Sequence, residues 1–205
     1  MLSPVSPTSS GPRSLHGKPA ARRAARERRD ALPAAGRAHA SAQIATIAAR
    51  ALGARIPAGS IVALYAAKGS EVDTAALEAA LHAAGFAVAY PRVVAGTRVL
   101  AVHLAHLADL APAGRLGLRE PVPGTPELVP AAIAAYCIPG LAFDRAGGRI
   151  GWGRGHYDAT LAAAPSALRI GLAFEAQVVA AVPREPHDIL LHALVTESGL
   201  HEVGV

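Results

Sequence analysis

Ser60-Ile61-Val62-Ala63-Leu64-Tyr65, a helical stretch over about 74–84, and Phe86-Ala87-Val88-Ala89-Tyr90 together decide the fold. The two outer runs are short, apolar and continuous rather than alternating, which is how strands buried on both faces read. Between them Asp73 or Thr74 can cap a helix that Gly85 stops. A strand, a helix and a second buried strand make one βαβ unit, and that connection favours parallel pairing.

The pattern extends in both directions. Ala132–Ile138, Leu168–Ala173 and Ala193–Thr196 read as further buried strands, and a helix of about 157–163 lies between the first two. Residues 92–129 read as shorter strands and loops, with Pro91 ending the preceding strand and Gly96-Thr97 turning into a strand over 98–103. Upstream, Lys18 to Leu32 reads as a helix that tolerates Pro19 in its first turn and ends at Pro33. An alanine-rich stretch over about 38–54 supplies a second helix. The expectation is one α/β domain over 18–205, with a largely parallel sheet flanked by helices and an N-terminal helical pair. Residues 1–17, rich in Ser, Pro and Gly, are expected to form a disordered extension.

Composition bounds the function. The net charge of +5 invites a nucleic-acid reading, but residues 1–30 alone carry seven basic side chains against Glu27 and Asp30. The other 13 basic and 13 acidic residues cancel, so no second positive face is expected and no nucleic-acid partner. No apolar run approaches the roughly 18–20 residues that span a bilayer, so no membrane segment is expected. The single Cys137, in the apolar run IAAYCIPG, cannot form an internal disulfide and reads as a buried strand residue of a cytoplasmic protein. A monomer is the default expectation. Apart from the basic helix, His103 and His106 are read as exposed strand decoration, and no histidine pair shows metal-site spacing beside a carboxylate.

The chemistry concentrates in Gly147-Gly148-Arg149-Ile150-Gly151-Trp152-Gly153-Arg154-Gly155-His156-Tyr157-Asp158. Glycine at 151, 153 and 155 lets backbone amides converge without side chains in the way, a nest for an anion. A helix starting near Tyr157 would add its positive end, and Arg149 and Arg154 bring guanidinium groups suited to phosphate oxygens. Asp158 stands where phosphate-bound magnesium would need a carboxylate. The P-loop pattern is absent, and the dinucleotide fingerprint fails at His156. On spacing alone, a phosphate cradle and a structural glycine turn both fit.

The run PGLAFDRAGGRIGWGRGHYDATL resembles the signature of the 5-formyltetrahydrofolate cyclo-ligases. Pro139, Gly140, Phe143, Asp144, Gly148, Arg149, Gly151, Gly153, Gly155, Tyr157 and Asp158 match it. Ile150 replaces leucine, and Trp152 and His156 stand where arginine or an aromatic residue is usual. The resemblance extends over nearly the whole chain from Lys18. Lys18 and Arg22 match the family's Lys-x-x-x-Arg, LYAAKGSEVDT its strand-and-loop segment, Pro91-Arg92 its Pro-Arg, and FEAQVVAAVPREPHDILLHALVTE its closing pattern. His192 departs from an aspartate that is frequent there.

The resemblance implies an ATP- and Mg2+-dependent ligase that converts 5-formyltetrahydrofolate, with or without a polyglutamate tail, to 5,10-methenyltetrahydrofolate, ADP and phosphate. It implies ATP contacts from Lys18, Arg22 and the loop Arg149, Ile150, Gly151, Trp152, Gly153, Arg154, Gly155, His156 and Tyr157. Arg149 and Arg154 would serve catalysis. Ala66 and Glu71, with Trp152, Gly153, Arg154, Gly155 and His156, would face the folate, and Asp158 and Asp188 would hold magnesium. His187 would orient a neighbour, and Arg23, Arg26, Arg28 and Arg29 would face solvent or form salt bridges. The alternative is a relative that has lost catalysis and sequesters 5-formyltetrahydrofolate.

Overall fold

The computed structural model describes residues 17–114 and 117–204. The expected extension over 1–17 lies, Gly17 apart, outside the described residues. Two helices open the chain, α1 (Lys18–Asp30) and α2 (Ala34–Gly53). Pro19 sits in the first turn of α1, where its missing N–H costs no hydrogen bond. The second helix begins earlier than the expected residue 38, directly after Pro33, which occupies its N-cap.

The βαβ unit is present as β1 (Ile61–Ala63), α3 (Ala75–Ala83) and β2 (Ala87–Arg92). Thr74 is the N-cap residue of α3, and Asp73 Oδ1 accepts the Ala75 N–H at 2.9 Å. Strand β2 runs through Pro91 rather than ending before it. Its parallel ladder to β1 stops at Ala89, so the missing N–H of proline leaves no gap there. The next strands are β3 (Ala101–Leu104, later than the expected 98–103), β4 (Ala111–Ala113), β5 (Leu118–Glu120), β6 (Glu127–Leu128) and β7 (Ile133–Ile138). The chain continues through β8 (Ala142–Asp144), β9 (Arg149–Ile150), α4 (His156–Ala162), β10 (Leu168–Leu172), β11 (Val178–Val179), β12 (Ala193–Thr196) and β13 (Gly199–Glu202).

Eight strands form the main sheet in the order β13-β12-β10-β7-β1-β2-β3-β6. The five central strands are parallel, whereas β3, β6 and β13 join antiparallel at the two edges. From β1 the chain moves outward to β2, then returns to the other side of β1 as β7. The strand order therefore reverses between β1 and β7, the place where open α/β sheets form a crevice.

Both faces of the sheet are covered. Val62, Leu64, Val88, Cys137 and Ile170 pack with Ile44 and Leu52 of α2 and Leu77 and Leu81 of α3. Their neighbours Ala63, Ala89, Tyr136 and Ile138 point the other way, against Leu161 of α4, Phe143 and Leu191. Cys137 is buried, and desolvation pushes its thiol up to about 12, as an inert core residue requires. His103 is a correction to the expected exposed decoration: it is buried and donates Nδ1–H to the Thr125 carbonyl at 2.9 Å.

A small second sheet, β11-β8-β9, carries the glycine-rich segment. Its centre is Asp144, 1% exposed. That carboxylate accepts the N–H of Ala146, Gly148 (2.8 Å) and Val182 (3.0 Å) and the guanidinium of Arg184 (2.8 Å). A Cβ on Gly148 would lie 2.6 Å from Asp144 Oδ2, so only glycine lets the loop close on the acid. Burial works to raise the Asp144 pKa, but the Val182 and Gly148 amides and Arg184 outweigh it and hold the carboxyl below its usual range.

A group with a depressed folded pKa stabilises the fold above its unfolded pKa, and that contribution is lost as pH falls through the folded value. Asp144→Asn is therefore expected to lower stability by about 2–3 kcal/mol at neutral pH. Urea unfolding at several pH values should show its difference from the parent shrinking below about pH 4.

Candidate functional site

A cavity of about 610 Å³ opens at the carboxyl ends of the parallel strands. Tyr65 and Ala66 follow β1, Val93 follows β2 and Pro139 follows β7, and all line it. Strand direction thus delivers three chain segments to one crevice at the switch in strand order between β1 and β7. The far wall is the glycine-rich loop from Arg149 to Asp158, and α1 lies across it.

Every residue to which the resemblance assigns ATP, folate, catalysis or magnesium lines this one cavity: Lys18, Arg22, Ala66, Glu71, the loop 149–157, Asp158 and Asp188. Gly153 (φ +86°) and Gly155 (φ +68°) occupy left-handed backbone that L side chains rarely adopt, whereas Gly151 does not. Gly155 is the N-cap of α4, so the loop passes directly into a helix start. The expected helix begins one residue early, at His156, whose Nδ1–H donates to the Arg98 carbonyl at 2.9 Å. Arg22 Nε donates to the Gly151 carbonyl at 3.1 Å, and a Cβ on Gly153 would lie 2.9 Å from Arg22 Cζ. The glycine is needed there for backbone shape and for room.

The charges are arranged in pairs. Arg149 is nearly buried and bonds Asp158 Oδ1 at 3.0 Å, with its guanidinium carbon 5.6 Å from the Tyr157 ring centre. Its Nε–H is buried without a hydrogen-bond partner among the described residues, a donor left over for another acceptor. Lys18 reaches Asp188 at 2.9 Å and Glu185 at 3.0 Å. Burial opposes the charge on Asp188, but Lys18 and the Glu185 amide outweigh it and keep the carboxyl below its usual range. Burial likewise works to lower the Lys18 pKa, and its two acidic partners raise it overall. Arg154 lies exposed at the rim.

Opposite the loop, Glu71 accepts the Trp152 indole N–H at 3.2 Å and lies 3.6 Å from Arg29. Trp152 is half exposed, and the guanidiniums of Arg26 and Arg29 sit 5.7 and 5.6 Å from its ring centre. Arg29 is not at the surface: it is 2% exposed and donates to Ser70 Oγ at 2.9 Å. Sequence reasoning set Arg26 and Arg29 apart from Lys18 and Arg22, although positions 18, 22, 26 and 29 form one helical stripe that would have grouped them. Glu185, also at the cavity, belongs to the closing pattern that supplied Asp188 but was given no role, and Arg98 had no signal in the sequence. Arg92 of the Pro-Arg pair braces the Pro121 carbonyl instead of lining the cavity. His192 is likewise not among the lining residues, and it accepts the Arg169 N–H at 3.1 Å.

The fold and this crevice define an open α/β protein whose cation-rich cleft lies at the carboxyl ends of its parallel strands. A profile of the 5-formyltetrahydrofolate cyclo-ligase family matches residues 15–197, and the chain belongs to that family. It is 39% identical over 93 residues to a 5-formyltetrahydrofolate cyclo-ligase of Mycolicibacterium smegmatis, covering 43% of this chain and 47% of that one. It is 32% identical over 118 residues to the mitochondrial 5-formyltetrahydrofolate cyclo-ligase of Arabidopsis thaliana, covering 48% and 42%. The chain thus spans less than half the length of these curated relatives. Among solved structures, the 5,10-methenyltetrahydrofolate synthetase of Aquifex aeolicus superposes with TM-score 0.76 at 27% identity, over 92% of this chain and 93% of that one. The synthetase of Mycoplasma pneumoniae shares the fold with TM-score 0.73 at 22% identity, over 89% and 99%. No helix among the described residues is long and apolar enough to cross a membrane.

Gly153→Ala would combine left-handed strain with displacement of Arg22 and is expected to lower stability by about 1–2 kcal/mol in chemical denaturation. Gly36→Ala in α2, where a Cβ meets nothing within 4 Å, is the matched control and should raise stability by about 0.5–1 kcal/mol.

Proposed function

We propose that the chain catalyses the ATP-dependent conversion of 5-formyltetrahydrofolate to 5,10-methenyltetrahydrofolate, with release of ADP and phosphate. The observation that carries this reading is the convergence on one cavity of a positive-φ glycine loop, the α1 cations and the Glu71–Trp152 pair. Family membership and the Aquifex aeolicus likeness support the substrate class.

The formyl group is an amide, and its oxygen is a poor leaving group. In the proposed reaction that oxygen attacks the terminal phosphorus of ATP, the bond to the bridging oxygen breaks, and ADP leaves. The neighbouring nitrogen of the folate arm then attacks the formyl carbon. It loses its proton as the carbon–oxygen bond breaks and phosphate departs.

Such a reaction asks for positioning and charge neutralisation, not a protein nucleophile. Lys18, Arg22, Arg149 and Arg154 supply the cations and the loop amides the remaining donors. The unpartnered Nε–H of Arg149 fits an incoming phosphate oxygen. Glu71, held by Trp152 and Arg29, can accept paired hydrogen bonds from an amino-pyrimidinone ring. Ala66 keeps that side of the cavity clear. The hard carboxylate oxygens of Asp158 and Asp188 fit Mg2+, which when bound neutralises phosphate charge. Their present partners Arg149 and Lys18 keep both acids in the cavity.

The test is a spectrophotometric assay with 5-formyltetrahydrofolate, ATP and magnesium, following the methenyl chromophore. Turnover is expected; tight folate binding without turnover would instead support sequestration. Arg149→Ala and Asp158→Ala should each lower the rate by about 10²–10³-fold or more while circular dichroism is unchanged. Parent-like turnover in either would remove the loop from the mechanism. In calorimetry, Glu71→Gln should weaken folate binding more than ATP binding, and the reverse order would overturn the assignment of Glu71.

A further inference from the structure

A second cavity, of about 700 Å³, shares no lining residue with the first. His82 of α3 and His106, which follows β3, both line it, and Glu78, one turn before His82 on the same face of α3, lies behind them. Glu78 Oε1 lies 3.6 Å from His82 Nε2 and 3.7 Å from His106 Nδ1, and the three ligand atoms all fall within 4.8 Å of one another. A tetrahedral ion with bonds of about 2.0–2.1 Å spaces its ligand atoms about 3.3–3.4 Å apart, so small side-chain adjustments close the triad on a metal.

Two features go beyond proximity. His82 Nδ1–H donates to the Phe86 carbonyl at 3.3 Å, which leaves Nε2, the nitrogen facing Glu78, with its lone pair free. A backbone carbonyl on the far ring nitrogen is how metal-binding histidines are oriented. Glu78 is itself largely buried and anchored, since Oε1 accepts the Leu107 N–H at 2.8 Å. The carboxylate and one imidazole are therefore set in place, while His106, with its side chain 64% exposed, leaves access from solvent.

We propose that Glu78, His82 and His106 form a binding site for a divalent transition-metal ion of the zinc class. Two imidazoles and one carboxylate select such an ion over magnesium or calcium, which take oxygen ligands. Three protein ligands leave one tetrahedral position for water on the side of the second cavity. The ion would clamp the last turn of α3 to the segment after β3. It would be separate from any magnesium in the first cavity.

The full chain, prepared without an affinity tag and freed of metal by a chelator, is titrated with zinc chloride against a chromophoric zinc indicator. One tight equivalent is expected, with a rise in the thermal midpoint on zinc addition. His106→Ala removes a mostly exposed ring, and should lower the affinity by more than about 100-fold, beyond the 10–100-fold that outer partners command. His82→Gln should do the same, and neither change should alter methenyl formation in zinc-free buffer with magnesium. Zinc binding that survives both substitutions would overturn the site, as would binding lost instead in His187→Ala, which would place the ion on Glu185, His187 and Asp188. A parent chain that takes up no zinc would overturn it outright.

Discussion

The carboxylate of Asp144 gathers four donors from two distant parts of the chain, and the shape of the first cavity follows from it. On one side it fixes the turn between β8 and β9, whose second strand delivers Arg149. On the other it fixes the start of the segment that carries Glu185, His187 and Asp188. A buried charge of this kind is tolerated because every lone pair is occupied, and losing any one donor would leave it undercompensated. Both walls of the crevice thus depend on one acid that does not line it.

Within the crevice, the cations are held against acids that are themselves in reach of a ligand. Lys18 with Asp188 and Arg149 with Asp158 place opposite charges side by side along its lining, while Glu71 is matched by Arg29. In the proposed reaction the ATP phosphates would take over the cations while Mg2+ took over the acids, leaving neither charge uncompensated. Beside these pairs, Gly153 and Gly155 hold the loop in left-handed turns.

Much of this was legible in the sequence. The continuous apolar runs gave the parallel core, because strands covered on both faces have no polar side to show. Alternating glycines marked the loop, and the match of its flanks supplied the family. What escaped was decided by partners far along the chain. Strands β8, β9 and β11 are two or three residues long and exist only through pairing, and Pro91 stays in its strand only because β1 ends beside it. Arg29 looks like any surface arginine until Ser70, Glu71 and Trp152 are folded over it. His106 is 24 positions beyond His82, so no local spacing could reveal that they meet over Glu78.

Trp152 is the single tryptophan of the chain. It sits half exposed at the mouth of the first cavity, its indole tied to Glu71 and two guanidiniums lying near its ring. Its fluorescence therefore comes from one known place, free of background from other indoles. A molecule that settles between the loop and Glu71 must change the polarity around that ring, so the chain carries an intrinsic optical gauge of its own occupancy.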